Sequence, residues 1–241
     1  MRQTDQGLPE SDRTIVTALV DANRILVARG VLDAFGHVSA RSAADPDRFY
    51  LARNMAPGRV TSEDIQAFTL DAQTDDPRPS YLEKYIHAEI YRARPDVTGV
   101  VHSHSPAVIP FAVTDRPLRP VLHMAGFLAD AVPVFEIRDH LGEDSDLLIR
   151  DARTGAALAD ALGPHAVVLM RGHGSVAVGD SLPDAVFRAV YAEVNAGIQA
   201  AATQLGAVTY LTPQEGAAAW RTNSSQVVRA WDVWREEVRV P

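Results

Sequence analysis

The stretch Val97-Thr98-Gly99-Val100-Val101-His102-Ser103-His104 decides how this chain is read. It is β-branched and apolar, so it reads as a strand. Side chains alternate across a strand, which sends His102 and His104 to one face and Ser103 to the other. Two residues of rise separate the imidazoles by about 6.6 Å, close enough for both to turn onto one ion at about 2.1 Å. A third histidine, His173, lies in Ala166–Gly174, where a hydrophobic strand runs into Gly172-His173-Gly174. Glycines on either side let the backbone turn sharply and approach a neighbour closely. A carboxylate, Glu83, sits on the predicted helix before the first pair. Three imidazoles and a carboxylate make up an open, catalytic divalent-metal site. The plainer reading is that each histidine is a hydrogen-bonded structural residue, and His-x-His alone does not exclude it.

Composition narrows the field. The chain has 241 residues, 46% of them apolar, enough for a sizeable core. Its net charge of −8 disfavours nucleic acid and anionic membranes as partners. There is no cysteine, so disulfides, thiolate metal ligands and thiol catalysis are excluded. No apolar run reaches the ~18 residues of a membrane span. The N-terminal stretch MRQTDQGLPESDR has no apolar core of a signal peptide. A cytoplasmic location is expected.

Outward from the central strand, helices and strands alternate. Ser11 is expected to cap a helix over 12–29 that Gly30 stops. Short strands are expected at 35–41, 48–52 and 67–70, then a helix over 81–94 that Pro95 ends. A short helix at 106–113, a strand at 132–137 and a helix within 144–162 follow. Two strands are expected around the Gly-His-Gly turn. A capping box at Ser181 and Asp184 opens a long helix to about 205. A strand at 208–211, a second capped start at Thr212, and a tail helix carrying Trp231 and Trp234 complete the pattern. One α/β domain over residues 1–241 is the economical reading.

The order and spacing of these pieces resembles the class II aldolase/adducin superfamily. The matching residues are Gly36-x-x-Ser39-x-Arg41, Glu83 with His87, and Arg94-Pro95-Asp96-Val97. They continue through Val100-Val101-His102-Ser103-His104 and Gly172-His173-Gly174 to Tyr191-Ala192-Glu193. Glu83 stands nineteen residues before His102, as in the family. The resemblance implies a three-layer α/β/α domain with a largely antiparallel central sheet, and a homotetramer with sites between subunits. It implies a divalent ion on His102, His104 and His173, with Glu83 as catalytic acid/base. Zinc is the first choice, with manganese, iron or cobalt as alternatives.

The departures from the sugar-phosphate aldolases of that superfamily are informative. They carry Gly-Asn-x-Ser, where this chain has Gly36-His37-Val38-Ser39. Their phosphate-binding Thr-Gly turn corresponds to Met55-Ala56-Pro57-Gly58. Their two serines before the glutamate are Tyr81 and Leu82 here. Small hydroxyls and amides cradle phosphate; a Tyr-Leu pair offers bulk. Asp33–Ser39, Tyr81-Leu82-Glu83, His102–Pro106 and Pro120–Met124 resemble a narrower branch, the decarboxylases of aromatic catabolism. These act on hydroxy-carboxymuconate semialdehydes or dihydroxyphthalate.

Decarboxylation beside a carbonyl or phenol-derived ketone needs the service an aldolase needs, a Lewis acid that takes up enolate charge. The expected substrate is a small anion. Arg41 and Arg53 are candidates to grip its carboxylates, against the alternative of ordinary ion pairs. Ser39, His37, Tyr81 and His123 are the other substrate-binding candidates. His87, one turn after Glu83, either orients it or packs. Tyr191 and Glu193 read as helix packing. Three other functions stay open: an aldolase, epimerase or dehydratase on a small sugar phosphate; a three-histidine iron oxygenase; and an adducin-like interaction module.

Overall fold

The His-x-His strand, β4 (Gly99–Ser103), is the middle strand of seven. Its β-branched run is buried on both faces, which is why it carries almost no polar side chain besides His102 and Ser103. The computed structural model describes residues 8–130 and 132–239, so part of the N-terminal stretch discussed above lies outside the described residues.

On one side of β4 lie β1 (His37–Arg41), β2 (Arg48–Ala52) and β3 (Ile65–Thr69). On the other lie β7 (Gly174–Gly179), β6 (Val167–Met170) and, at the edge, β5 (Val134–Phe135). Every pairing is antiparallel except β5 with β6. Alternation divides the sheet between two apolar layers. Val38, Ala40, Val101, Leu169 and Ala177 pack with α1 (Glu10–Ala28), α6 (Leu182–Leu205) and α8 (Val227–Arg239). Phe49, Leu51, Val100, Val176 and Val178 pack with α2 (Lys84–Ala93) and α5 (Ala152–Leu162). The result is the expected three-layer α/β/α arrangement around a largely antiparallel sheet. Trp231 and Trp234 of the tail helix are buried in the first layer. Three short helices, α3 (Ile109–Ala112), α4 (Arg138–Leu141) and α7 (Pro213–Asn223), complete the chain. Among the described residues no helix is long and apolar enough to cross a membrane.

Local expectations change in four places. The first helix starts at Glu10 with Pro9 before it, so Ser11 lies inside the first turn and caps nothing. The second begins at Lys84, because Glu83 adopts a non-helical cap conformation (φ −88°, ψ 19°) and its side chain leaves for another partner. Ser181 accepts the Asp184 N–H, but the return bond is missing because the Asp184 carboxylate turns to Arg188, 2.8 Å away. Residues 208–211 form no strand; Leu211 gives its N–H to the Pro120 carbonyl. The Thr212–Glu215 box forms in full.

Gly174 sets how closely β7 approaches β4. A Cβ there would lie 2.0 Å from the Ser103 carbonyl oxygen, inside any permitted contact. Gly174→Ala is therefore expected to cost about 3 kcal/mol or more in urea unfolding. Gly58→Ala, whose new methyl would meet nothing closer than 3.7 Å, should stay within about 0.5 kcal/mol of the parent.

Candidate metal centre

His102 is the penultimate residue of β4, and His104 lies just past its end, in the loop. His173 occupies the tight turn between β6 and β7, where Gly172 takes a left-handed φ of 67°. The β4–β7 pairing places the turn beside the end of β4. The three rings meet with centroids 4.9–5.1 Å apart. Glu83 enters from the N-terminus of α2. One ligand atom from each of the four residues lies within 4.8 Å of the others. His104 Nε2 is 3.0 Å from His173 Nε2. Glu83 Oε2 is 3.5 Å from both His102 Nε2 and His173 Nε2. These separations approach the edge of about 3.3 Å of a tetrahedron with ligands at about 2.05 Å.

The orientation of the rings matters as much as their positions. His102 is sealed from solvent, and its Nδ1 lies 3.2 Å from the Ser175 carbonyl. His173 Nδ1 lies 2.9 Å from the Leu147 carbonyl. A carbonyl accepts only, so each ring carries its proton on Nδ1 and turns the Nε2 lone pair to the cluster. His102 Nε2 then has no hydrogen-bond partner although it is buried. A lone pair left bare in a dry interior is costly unless a cation or proton takes it up. The three histidines, with Glu83 beside them, fit a divalent ion.

The electrostatics agree. Burial lowers the His104 pKa to about 4, and the neighbouring His102 and His173 push the same way. Burial acts to raise the Glu83 carboxyl, but His102 and His173 outweigh it and hold Glu83 well below the usual carboxylate range. Glu83 is an anion at neutral pH. Burial alone would lower His173; Glu83 turns the balance and raises it.

One loop holds two of these groups. Leu147 supplies the carbonyl to His173, and the Ile149 N–H donates to Glu83 Oε1 at 3.2 Å. Leu147 has φ 68°, a left-handed conformation a leucine rarely takes, at a cost of about 1–3 kcal/mol. Nothing in the sequence marked this loop, since no side chain of it performs the task. Ser175 and Tyr91 were likewise overlooked, although Tyr91 lies two turns after Glu83 on the face that carries His87.

The substrate-binding candidates separate. His37 and Tyr81 stand at the cluster: the His37 ring is 5.0 Å from that of His102 and 4.7 Å from that of Tyr81. Tyr81 donates its hydroxyl to the Met55 carbonyl at 2.5 Å. The three departures from the sugar-phosphate pattern, at His37, Met55 and Tyr81, thus meet in one corner. Burial pushes the Tyr81 phenol up to about 12, against the opposing charge of Arg53. Arg53 pairs through Nε with Asp64 at 2.7 Å and makes no other side-chain hydrogen bond among the described residues, leaving its outer nitrogens open.

Arg41 and Ser39 correct the expectation. Arg41 gives its guanidinium to the carbonyls of Val97, Pro46, Tyr91 and Arg94, tying the end of α2 to the sheet. Ser39 is sealed inside and bonds His87 and Tyr91. His87 faces His37 and Ser39, so it is not hydrogen-bonded to Glu83. His123 is exposed on a 3-10 helix (His123–Leu128) and makes no aromatic contact with the cluster rings. Glu193 accepts the Ala107 N–H from the loop after β4, a hydrogen bond rather than the helix packing expected.

Comparison with known proteins adds lineage to geometry. The model of the "Class II Aldolase and Adducin N-terminal domain" family matches residues 17–200. The chain is 38% identical to the decarboxylase tropJ of Talaromyces stipitatus, over 92% of this chain and 93% of that protein. It is 27% identical to a 3,4-dihydroxyphthalate decarboxylase of Arthrobacter keyseri, over 89% and 94%. Its fold matches the crystal structure of an aldolase II superfamily protein from Pseudomonas syringae with a TM-score of 0.79, over 96% and 94% of the two chains at 20% identity.

Two outcomes are expected. His102→Ala should lower zinc affinity by more than the ~100-fold that loss of an outer hydrogen-bond partner can cost, read by calorimetric titration. Arg41→Lys should lower thermal stability by about 2–3 kcal/mol while KM stays within about twofold, because Arg41 holds backbone rather than substrate.

Proposed function

Because the chain belongs to the class II aldolase and adducin N-terminal domain family, we propose that it is a divalent-metal-dependent lyase. It removes CO2 without oxidation from a hydroxylated aromatic or ring-cleavage carboxylic acid. The observation that carries this reading is the corner formed by His37, Tyr81 and Met55 beside the three-histidine cluster. Where a phosphate would need small hydroxyls and free amides, this chain packs two rings, and the Tyr81 hydroxyl is already spent on a carbonyl. The corner suits a flat, unsaturated acid. The decarboxylase names of its relatives support the same class.

His102, His104 and His173 would hold the ion, zinc by first choice, and the ion supplies a Lewis acid for charge developing on a substrate oxygen. The rest of the chemistry falls to the chain. Glu83 is ionised, so of the two acid/base roles it enters first as the base. It takes the proton of the substrate hydroxyl and carries it to the carbon that bears the carboxylate. The bond to the carboxyl carbon then breaks, CO2 leaves, and the electron pair returns toward the oxygen. The Ile149 N–H holds Oε1, so Oε2 is the oxygen that works. Arg53 offers its outer nitrogens to a second carboxylate.

The same reading makes the protein a cytoplasmic homotetramer of one-domain subunits. Phe35, 67% exposed with its ring 6.5 Å from that of His104, and Leu82, 58% exposed and next to Glu83 in the chain, offer apolar surface suited to a neighbouring subunit. His123, exposed and away from its own cluster, then serves a neighbour's site.

The test is CO2 release across hydroxylated phthalates and carboxymuconate semialdehydes, with phosphorylated ketoses as controls. Glu83→Gln is expected to keep the metal and lose at least about 100-fold in kcat. Full activity in that variant would end the acid/base assignment. Turnover of a phosphorylated ketose in place of CO2 release would end the decarboxylase reading.

A further inference from the structure

Behind the metal centre runs a buried hydrogen-bonded chain that the proposed chemistry has not used. His37 Nδ1 lies 2.6 Å from His87 Nε2. His87 Nδ1 lies 2.6 Å from Ser39 Oγ, and Ser39 Oγ lies 2.8 Å from the Tyr91 hydroxyl. All four residues are at least 96% buried. The chain starts on the sheet face that carries His102, since His37 and His102 are direct partners in the β1–β4 register. It ends at Tyr91, under the Arg41 guanidinium 4.8 Å from the ring.

The direction of the protons follows from counting. A neutral imidazole and each hydroxyl have one proton to give. Suppose Ser39 donated to Tyr91. The phenol proton would then need another acceptor, and among the described residues Tyr91 Oη meets only Ser39. A buried donor without an acceptor disfavours that arrangement by on the order of tenfold or more. In the opposite arrangement every group is satisfied. Tyr91 donates to Ser39, Ser39 donates to His87 Nδ1, and His87 donates from Nε2 to His37 Nδ1. His37 is left with its proton on Nε2. That nitrogen has no partner among the described residues, and it is not among the polar atoms sealed without one. It is open to the site. A doubly protonated His37 would have to donate to His87 and would reverse the whole chain.

We propose that the Tyr91–Ser39–His87 chain locks His37 as a neutral Nε2–H donor, which binds an anionic oxygen of the substrate, its carboxylate or phenolate, beside the metal centre. Ser39, His87 and Tyr91 are positioning residues. Burial lowers both His37 and His87, the latter to about 3, which agrees with neutral rings. The chain holds a direction and does not conduct protons, because its far end is closed. The ligand class rests on the decarboxylase reading; the tautomer does not.

The tautomer is read directly from two-bond 1H–15N correlation spectra of protein labelled with 15N-histidine, metal-free and zinc-loaded. His37→Gln assigns the signals. His37 and His87 are both expected in the Nε2–H form. An Nδ1–H or doubly protonated His37 overturns the proposal. In Ser39→Ala the lock is lost, and an Nδ1–H population of His37 should appear; an unchanged tautomer means the chain does not set it. Salicylate, a hydroxy acid, probes the ligand in the zinc-loaded protein. His37→Gln keeps an N–H near the Nε2 position and should bind it within about threefold of the parent. His37→Leu should bind it about tenfold or more weakly. Equal affinity in the two variants removes the donor role. If the parent protein itself fails to bind salicylate, the decarboxylase reading fails while the tautomer result stands.

Discussion

His102 lies on the central strand, sealed from solvent, with Nδ1 tied to the Ser175 carbonyl and Nε2 bare. Much else in the structure meets that condition. A buried lone pair needs a positive partner, and an ion needs further ligands to leave water. His104 is supplied by the loop that leaves the same strand. His173 is supplied by the next one, through a turn whose glycines allow the backbones to touch. Glu83 brings the negative charge from the end of α2. A strained leucine carbonyl and an adjacent amide then hold His173 and Glu83 in place. The cost of that strain is accepted where the geometry of the site demands it.

The α2 helix presents a polar stripe to an otherwise apolar layer. Glu83, His87 and Tyr91 follow one another at intervals of four, so they share a face. Each has a different task. Glu83 reaches the metal centre, His87 holds His37, and Tyr91 closes the chain through Ser39. A stripe of this kind is affordable only when every member is satisfied. The same demand explains Arg41. A guanidinium buried against carbonyl oxygens at the end of α2 has four of its five N–H donors committed to the main chain, whatever the motif around it suggests.

The corner of His37, Tyr81 and Met55 departs from the sugar-phosphate pattern while the three histidines and Glu83 stay together. The positions are far apart in the chain, yet each change depends on the others. Tyr81 fills the space beside His37 and spends its hydroxyl on Met55. Two rings and a committed hydroxyl stand where the sugar-phosphate pattern has small hydroxyls.

Sequence alone marked the strands and helices and the histidines that the fold brings together. Alternation of β-branched residues marks a strand however the chain folds around it, and His-x-His places two rings on one face by the geometry of the pleat. The glycines about His173 announced a tight turn for the same local reason. Tertiary structure alone decided which of the remaining polar residues face the histidine cluster. Arg41, Ser39 and His37 lie on one short strand at alternate positions and read alike, yet only His37 opens to the site. The other two are consumed by carbonyls and hydroxyls from segments some fifty residues away. The Leu147–Ile149 clamp was invisible because it acts through main-chain atoms, which every residue possesses. Hydrogen-bond partners are a property of what packs alongside, and only folding chooses the neighbour.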